Sequence, residues 1–430
     1  MGSRQEPDDA PVNASGLWLV AYRLRGHSNV VGALLSNGLA AGSSLVLQLV
    51  ATRTLGARGL GQFSLLLSVL ITFNAVQSGW IGDSLTVLDR FEPATRTALI
   101  RSQEVCVGLA LVVGFGGAAA TGATSPTVAL VFGMAMVLWV LEETCRRILM
   151  ARLEFWRVVA SEAVYAVAAL GVLAVSALTG HAVTVGTLVL AIAVGAGGGL
   201  LTAMRQLPSV ELLPPRPWAA PALRRLSAFA SWRAAQIGVR PAAQLLMRVI
   251  VTAFLSASAL GRLEAGRLLL APVLVVINGA GFLLLPMYTE DFRQGRFQVR
   301  RVRKAMLVLV SLSMAAGAVA LVTSPWLSPL LTGGSFRIQP LAIFSWTLLV
   351  AGFGAGIPAG IAIVASHRSR DGFVIRAAES CLGLVIVLVV ASAGVPELAP
   401  AGLAVGTFFG AAWLYWSLSD SPGQTPEPAT

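Results

Sequence analysis

Charge is the first thing this chain lacks. Only 12% of its 430 residues are charged, against 56% hydrophobic, and the mean hydropathy is +0.77. A soluble globule covers its surface with about 25% charged residues, so a water-soluble fold is excluded. Cysteine is scarce as well. Cys106, Cys145 and Cys381 lie far apart without CxxC spacing, which implies neither a disulfide framework nor a metal site. His27, His181 and His367 fall in different loops, so no zinc site is expected, and no cofactor. The short basic segment SGLWLVAYRLRG has no small-residue cleavage site behind it; it reads as an interfacial helix and not as a signal peptide.

What the chain has in abundance is apolar runs. Stretches of about 20 residues, enough to cross roughly 30 Å of hydrocarbon as helices, recur at 29–51, 62–82, 104–121, 126–145, 158–178, 184–204, 234–256, 264–287, 305–323, 338–365, 376–394 and 400–418. The expected fold class is an all-α polytopic membrane protein with twelve transmembrane helices. Arginine sets its orientation, because basic residues in short loops favour the cytoplasm. With both termini cytoplasmic, 24 of the 31 basic residues fall on inner segments, five on outer loops or span ends, and two inside a span. The net charge of +11 is therefore assigned to anionic membrane lipids at the inner face and not to nucleic acid.

Two internal matches divide the chain. TRTLGARGLGQFSLLLSVL at 52–70 aligns without a gap to 252–270, pairing Thr52 with Thr252, Leu55 with Leu255, Ala57 with Ala257, Leu60 with Leu260 and Gly61 with Gly261. A second match, shifted by 217, pairs Glu154 with Asp371 and Glu162 with Glu379. Together they predict two homologous six-helix lobes around a central cavity. The expected division is a cytoplasmic tail with an interfacial helix over 1–28, an N-lobe over 29–205, a proline-rich linker over 206–227, a C-lobe over 228–418 and a disordered cytoplasmic tail over 419–430.

The two arginines inside a span single out helix 7. Gln236, Arg240, Gln244 and Arg248 recur every four residues and form one polar stripe,. A shift of 200 gives Ser36, Ala40, Ser44 and Gln48 on helix 1, an uncharged version of the same stripe. The two are expected to face each other across the central cavity, with Asn37, Asn74 and Gln77 adding polarity. Arg240 and Arg248 lie roughly 9 and 12 Å deep at 1.5 Å per residue, too deep for Arg248 to snorkel. No carboxylate is expected deep in a span: Glu142, Glu143, Glu162 and Glu379 fall near inner ends and Glu264 at an outer end. A positive cavity without one suits an anionic cargo, and phosphate fits an arginine fork. Glu142 and Arg146 are candidate gating residues, with intrahelical pairing of Glu142 and Glu143 to Arg146 and Arg147 as their structural reading. Pro241, the third candidate gating position, adds a bend to helix 7.

Several stretches together carry a resemblance. TRTLGARGLGQFSLLLSVL after the first span, the hairpin LEETCRRILMARLEFWRVVASEAVYA, FLLLPMYTED closing helix 8, and SPLLTGGSFRIQPLAIFSWTLLVAGFG with GVPELAPAGLAVGTFFGA resemble the oligosaccharide flippases of the multidrug/oligosaccharidyl-lipid/polysaccharide exporter superfamily. The likeness covers nearly all of 29–418. It implies a multi-pass transporter of the bacterial cytoplasmic membrane that moves an undecaprenyl-diphosphate-linked glycan outward by alternating access, for cell-surface polysaccharide biosynthesis. A polysaccharide polymerase and glycosyltransferases are the partner enzymes it implies, and Arg240 and Arg248 the positions facing the diphosphate. Peptidoglycan-precursor flippases of that superfamily carry two further helices, which this sequence lacks. The alternative is an ion-coupled small-molecule or multidrug antiporter of related fold. Enzymatic activity is not expected: the longest outer loop, TSPWLSPLLTGGSFRIQP, holds Arg337 as its only charge, and GAGGG at 195–199 follows no strand.

Overall fold

The computed structural model describes residues 16–89, 91–120, 125–208, 220–366 and 368–420. Among these, every regular element is helical: α1 (Gly16–Thr54), α2 (Gly56–Gln77), α3 (Asp83–Val87), α4 (Pro93–Ala120), α5 (Pro126–Ala151), α6 (Phe155–Leu178), α7 (Val185–Gln206), α8 (Ala220–Phe254), α9 (Ala257–Leu268), α10 (Ala271–Arg293), α11 (Val299–Thr332), α12 (Pro340–Ala365), α13 (Ser369–Ser392) and α14 (Ala399–Ser419). Among the described residues, twelve helices are long and apolar enough to cross a membrane, and the helical fold class follows. With no water to satisfy backbone groups in hydrocarbon, an apolar chain closes its hydrogen bonds within each helix.

The boundaries differ from expectation in instructive places. The backbone of α1 runs unbroken from Gly16 into the first span, so 16–28 continues that helix; residues 1–15 lie outside the described residues. The expected linker is described only at its edges: α7 ends at Gln206, α8 already begins at Ala220, and 209–219 lie outside. The tail over 419–430 is described only at Ser419 and Asp420. Span 2 reaches past Gln77 through a π-helical turn, Ser78–Gly82, into α3. Span 8 comes in two pieces, because Ser256 caps α9 by accepting from the Ala259 amide (3.1 Å) and Pro272 opens α10. A proline in a first helical turn needs no amide partner there.

The two halves pack alike. In the first, α1 lies on α6, α4 on α5, and α5 and α6 on α7; in the second, α8 lies on α13, α11 on α12, and α12 and α13 on α14. The halves meet where α2 crosses α9 and α8. At the first crossing the helices touch through Gly61 and Gly261: a Cβ on Gly61 would lie 2.8 Å from the Ala257 carbonyl carbon, and one on Gly261 2.7 Å from that of Ala57. Small residues let backbones approach where lipid offers no hydrophobic drive to pack. At the second crossing Gly79, inside the π turn, leaves no room for a Cβ beside Ala234 (2.6 Å to its Cα). Thr72 donates to the Pro241 carbonyl (3.2 Å), and the Arg233 Nε donates to Asp83 (2.8 Å).

The pairing equivalent to α2 on α8 would set span 8 against α1. It forms through α9, whereas α10 finds its partners in α12 and α11 of its own half. Val275, Val276, Leu283 and Met287 on α10 are accordingly exposed.

Candidate functional site

The polar stripe of α1 faces a cavity of about 70 Å³ within the N-terminal half, lined among others by Ser43, Ser44, Gln48, Asn74, Trp139, Glu142, Arg146, Glu162 and Tyr165. Spans 1, 2, 4, 5 and 6 all contribute. Arg146 is held between carboxylates: its Nε donates to Glu143 (2.8 Å) and its Nη1 lies 3.6 Å from Glu162. Arg147 also donates to Glu143 (2.7 Å). The expected intrahelical pairing thus holds for Glu143 and fails for Glu142, which makes no ion pair among the described residues and leaves its Oε1 buried without a hydrogen-bond partner. The Asn74 Oδ1 is buried and unpartnered in the same way. Three carboxylates against Arg146 and Arg147 leave this pocket one negative charge in formal excess.

The stripe of α8 divides. Arg240 and Gln244 line a smaller cavity, about 20 Å³, in the C-terminal half, together with Phe353, Glu379, Ser380 and Thr407. The Arg240 Nη2 lies 3.5 Å from Glu379 Oε1, its guanidinium carbon sits 4.6 Å from the centre of the Phe353 ring, and its Nε is buried without a partner. Arg376 also donates to Glu379 Oε1 (3.2 Å) and to the Gly356 carbonyl (3.2 Å). Two guanidinium groups against one carboxylate leave this pocket formally positive. Gln236, by contrast, accepts from the Arg233 Nη1 (2.8 Å) near the lobe crossing.

Arg248 requires a correction. It is 7% exposed, and its Nε donates to Glu264 Oε1 (2.7 Å). Glu264 is 1% exposed and accepts from the Arg267 Nε as well (2.7 Å), while the Arg267 Nη2 reaches across the lobe boundary to Gln48. A deep carboxylate therefore exists, and Arg248 serves an ion cluster instead of a cavity wall. A span that restarts at Ser256 carries Glu264 two turns into α9, so a residue expected at a helix end is buried. Glu142, Glu143, Glu162 and Glu379 are likewise all buried.

Other placements differ too. Ser44 and Gln48 line the pocket of the first half, and Arg240 and Gln244 that of the second; the two stripes meet only at one end, through Gln48, Arg267, Glu264 and Arg248. Gln77 is buried away from the cavities, donating to the Val140 carbonyl (2.9 Å) and the Thr144 hydroxyl (2.8 Å). Asn37 is exposed and donates to the Ala33 carbonyl (2.9 Å). Pro241 lies within α8, which continues through it without a break. Glu264, Glu379, Arg376 and Phe353, the partners of the two arginines, belong to neither stripe. One signal for Glu379 was available: the 217-residue match pairs it with Glu162, and both line the pocket of their half.

No family model matches the chain, and no curated protein matches it significantly in sequence. Solved structures do match. Over 91% of this chain the fold aligns with 98% of a multidrug resistance MATE family transporter of the MOP superfamily in an inward-facing conformation (TM-score 0.70, 12% identity). It aligns equally with 87% of the lipid II flippase MurJ in an inward closed conformation (0.71, 11%), again over 91% of this chain. An outward-facing MATE family transporter matches over 91% of this chain and 94% of its own (0.60, 10%). The fold is that of the MOP-superfamily transporters. At these identities the likeness is one of architecture, and it leaves substrate to the side chains.

Proposed function

We propose that this chain is a flippase that moves a polyprenyl-diphosphate-linked oligosaccharide across the bacterial cytoplasmic membrane by alternating access. No enzymatic step belongs to this reading. The observation that carries it is the excess positive charge of the C-terminal pocket, where Arg240 and Arg376 share Glu379 and the Arg240 Nε lacks a partner. A guanidinium with a free donor pairs with phosphate oxygens. In this reading the two halves correspond to 29–205 and 228–418, with Gln244 beside Arg240, and Ser44, Gln48 and Asn74 in the N-terminal pocket. A polysaccharide polymerase and glycosyltransferases would act on either side of the step. Deleting the gene should make the polyprenyl-linked glycan accumulate on the inner leaflet, read by lipid extraction and mass spectrometry. An unchanged lipid-linked pool with intact surface glycan would refute it.

One observation favours a second reading, an ion-coupled antiporter of small molecules. Glu142 is a buried carboxylate without an ion-pair partner, facing a polar pocket, and intramembrane carboxylates of this kind carry protons or ions. Glu142→Gln distinguishes the two. A pure flippase independent of ion coupling retains glycan export, whereas an antiporter loses efflux of its substrate and its dependence on the ion gradient.

A further inference from the structure

We infer that Gly61 and Gly261 are the closing contact of the outer gate, a pair that can touch only while the outer face of the transporter is shut. The inference rests on the fold and on this contact, so a wrong substrate assignment leaves it standing. The two glycines are equivalent positions of the 200-residue repeat, and their surroundings are reciprocal. A Cβ on Gly61 would overlap the Ala257 carbonyl oxygen and come within 3.0 Å of the Gly261 amide nitrogen. One on Gly261 would overlap the Ala57 carbonyl oxygen and come within 3.0 Å of the Gly61 nitrogen. The reciprocity sets the contact on the pseudo-twofold axis relating the lobes. Any rocking that parts the outer ends must separate it.

Backbone meets backbone here, so no rotamer change makes room for a methyl group, and the two helices would have to move apart. What lies behind the contact gives the closure a purpose. One turn further along α2 and α9 sit Ser64 and its repeat equivalent Glu264, both buried, and Glu264 anchors Arg248 and Arg267. The contact shields this charge cluster from the outer water. Arg267 reaching Gln48 on α1, and the Trp346 indole donating to the Leu263 carbonyl (2.9 Å), tie the same region together. Opening the glycine crossing would bring water to the cluster.

The experiment uses the full chain with Cys106, Cys145 and Cys381 replaced by Ser. Spin labels at Arg58→Cys and Ser258→Cys, next to the crossing, report its width by pulsed electron paramagnetic resonance. The parent should give a short-distance population that Gly61→Ala and Gly261→Ala each abolish in favour of longer distances. Gly42→Ala, where a Cβ meets nothing within 4 Å, should leave it intact. In sealed cells a Ser64→Cys reporter should gain about tenfold or more in reactivity toward an impermeant maleimide in the Gly61→Ala background, as a gate moved from mostly shut to mostly open requires. Unchanged distances and unchanged protection would overturn the inference. Should the alanine variants fail to accumulate, the parent decides. Cross-linking Arg58→Cys to Ser258→Cys should leave an Asn278→Cys reporter on α10, exposed in this structure, open to maleimide from the inner side. Protection of Asn278→Cys by that cross-link would overturn the inference equally.

Discussion

Arg240 and Arg248 sit eight residues apart on one helix face and have come to do different work. Arg248 shares the buried Glu264 with Arg267, so removing it takes away one of two ion-pair partners and leaves one carboxylate oxygen short of its donor, which costs about 1–3 kcal/mol. Arg248→Ala should therefore lower the amount of folded protein, measured by fluorescence-detected size exclusion, and Arg248→Ala with Glu264→Ala should recover part of the loss. Arg240 lies at 25% side-chain exposure, 3.5 Å from a carboxylate that Arg376 also holds. Arg240→Ala should leave abundance near the parental level and abolish complementation of a deletion strain. Arg240→Lys should restore complementation in part, since an ammonium keeps the charge and loses the fork. Parental complementation by Arg240→Ala at normal abundance would remove the anion-binding role.

Among the elements, span 2 shows how a helix is adapted to a crossing. An α-helix that continued regularly past Gln77 would bring a different face to α8; the π turn at Ser78–Gly82 places Gly79 against Ala234 and lets Asp83 meet Arg233. Such turns collect where a helix has a task beyond spanning. Gly79→Val should prise this crossing open at a cost of about 1–3 kcal/mol, seen as a lower melting temperature in detergent. Arg233→Ala, at a partly exposed ion pair, should shift it much less. Equal shifts would mean that the salt bridge, and not the backbone contact, holds α2 to α8.

For the whole molecule, the arginine distribution and the fold make a joint prediction about sidedness. His181, in the loop between α6 and α7, and Arg296, between α10 and α11, should lie on opposite faces of the membrane. Single cysteines there, His181→Cys and Arg296→Cys, should label respectively in intact cells and only after permeabilisation. The reverse pattern would invert the assignment, and equal labelling would refute the alternation of spans.

The number of spans and their helical character were legible because composition and run length act locally: an apolar stretch long enough to cross hydrocarbon has no other way to satisfy its backbone. The repeat was legible for a related reason, since Leu60-Gly61 and Leu260-Gly261 keep identities that a shared contact demands. What stayed hidden depended on which helices become neighbours. Arg248 looked solitary because Glu264 is sixteen residues away and its depth depends on where α9 restarts. The stripes of α1 and α8 line separate pockets over Ser44 and Arg240 and meet only through Arg267 and Glu264, a division set by which helices pack against them. Glu142 and Glu143 are adjacent in sequence and alike in charge; local helix spacing gives Glu143 both of its arginines, and it is tertiary packing that buries Glu142 against a pocket without an ion-pair partner among the described residues. Sequence thus determined the helices and their count, through local solvation. Only the fold decided which buried charges are neutralised and which remain available, because pairing at a few ångströms depends on helix positions that no local pattern encodes.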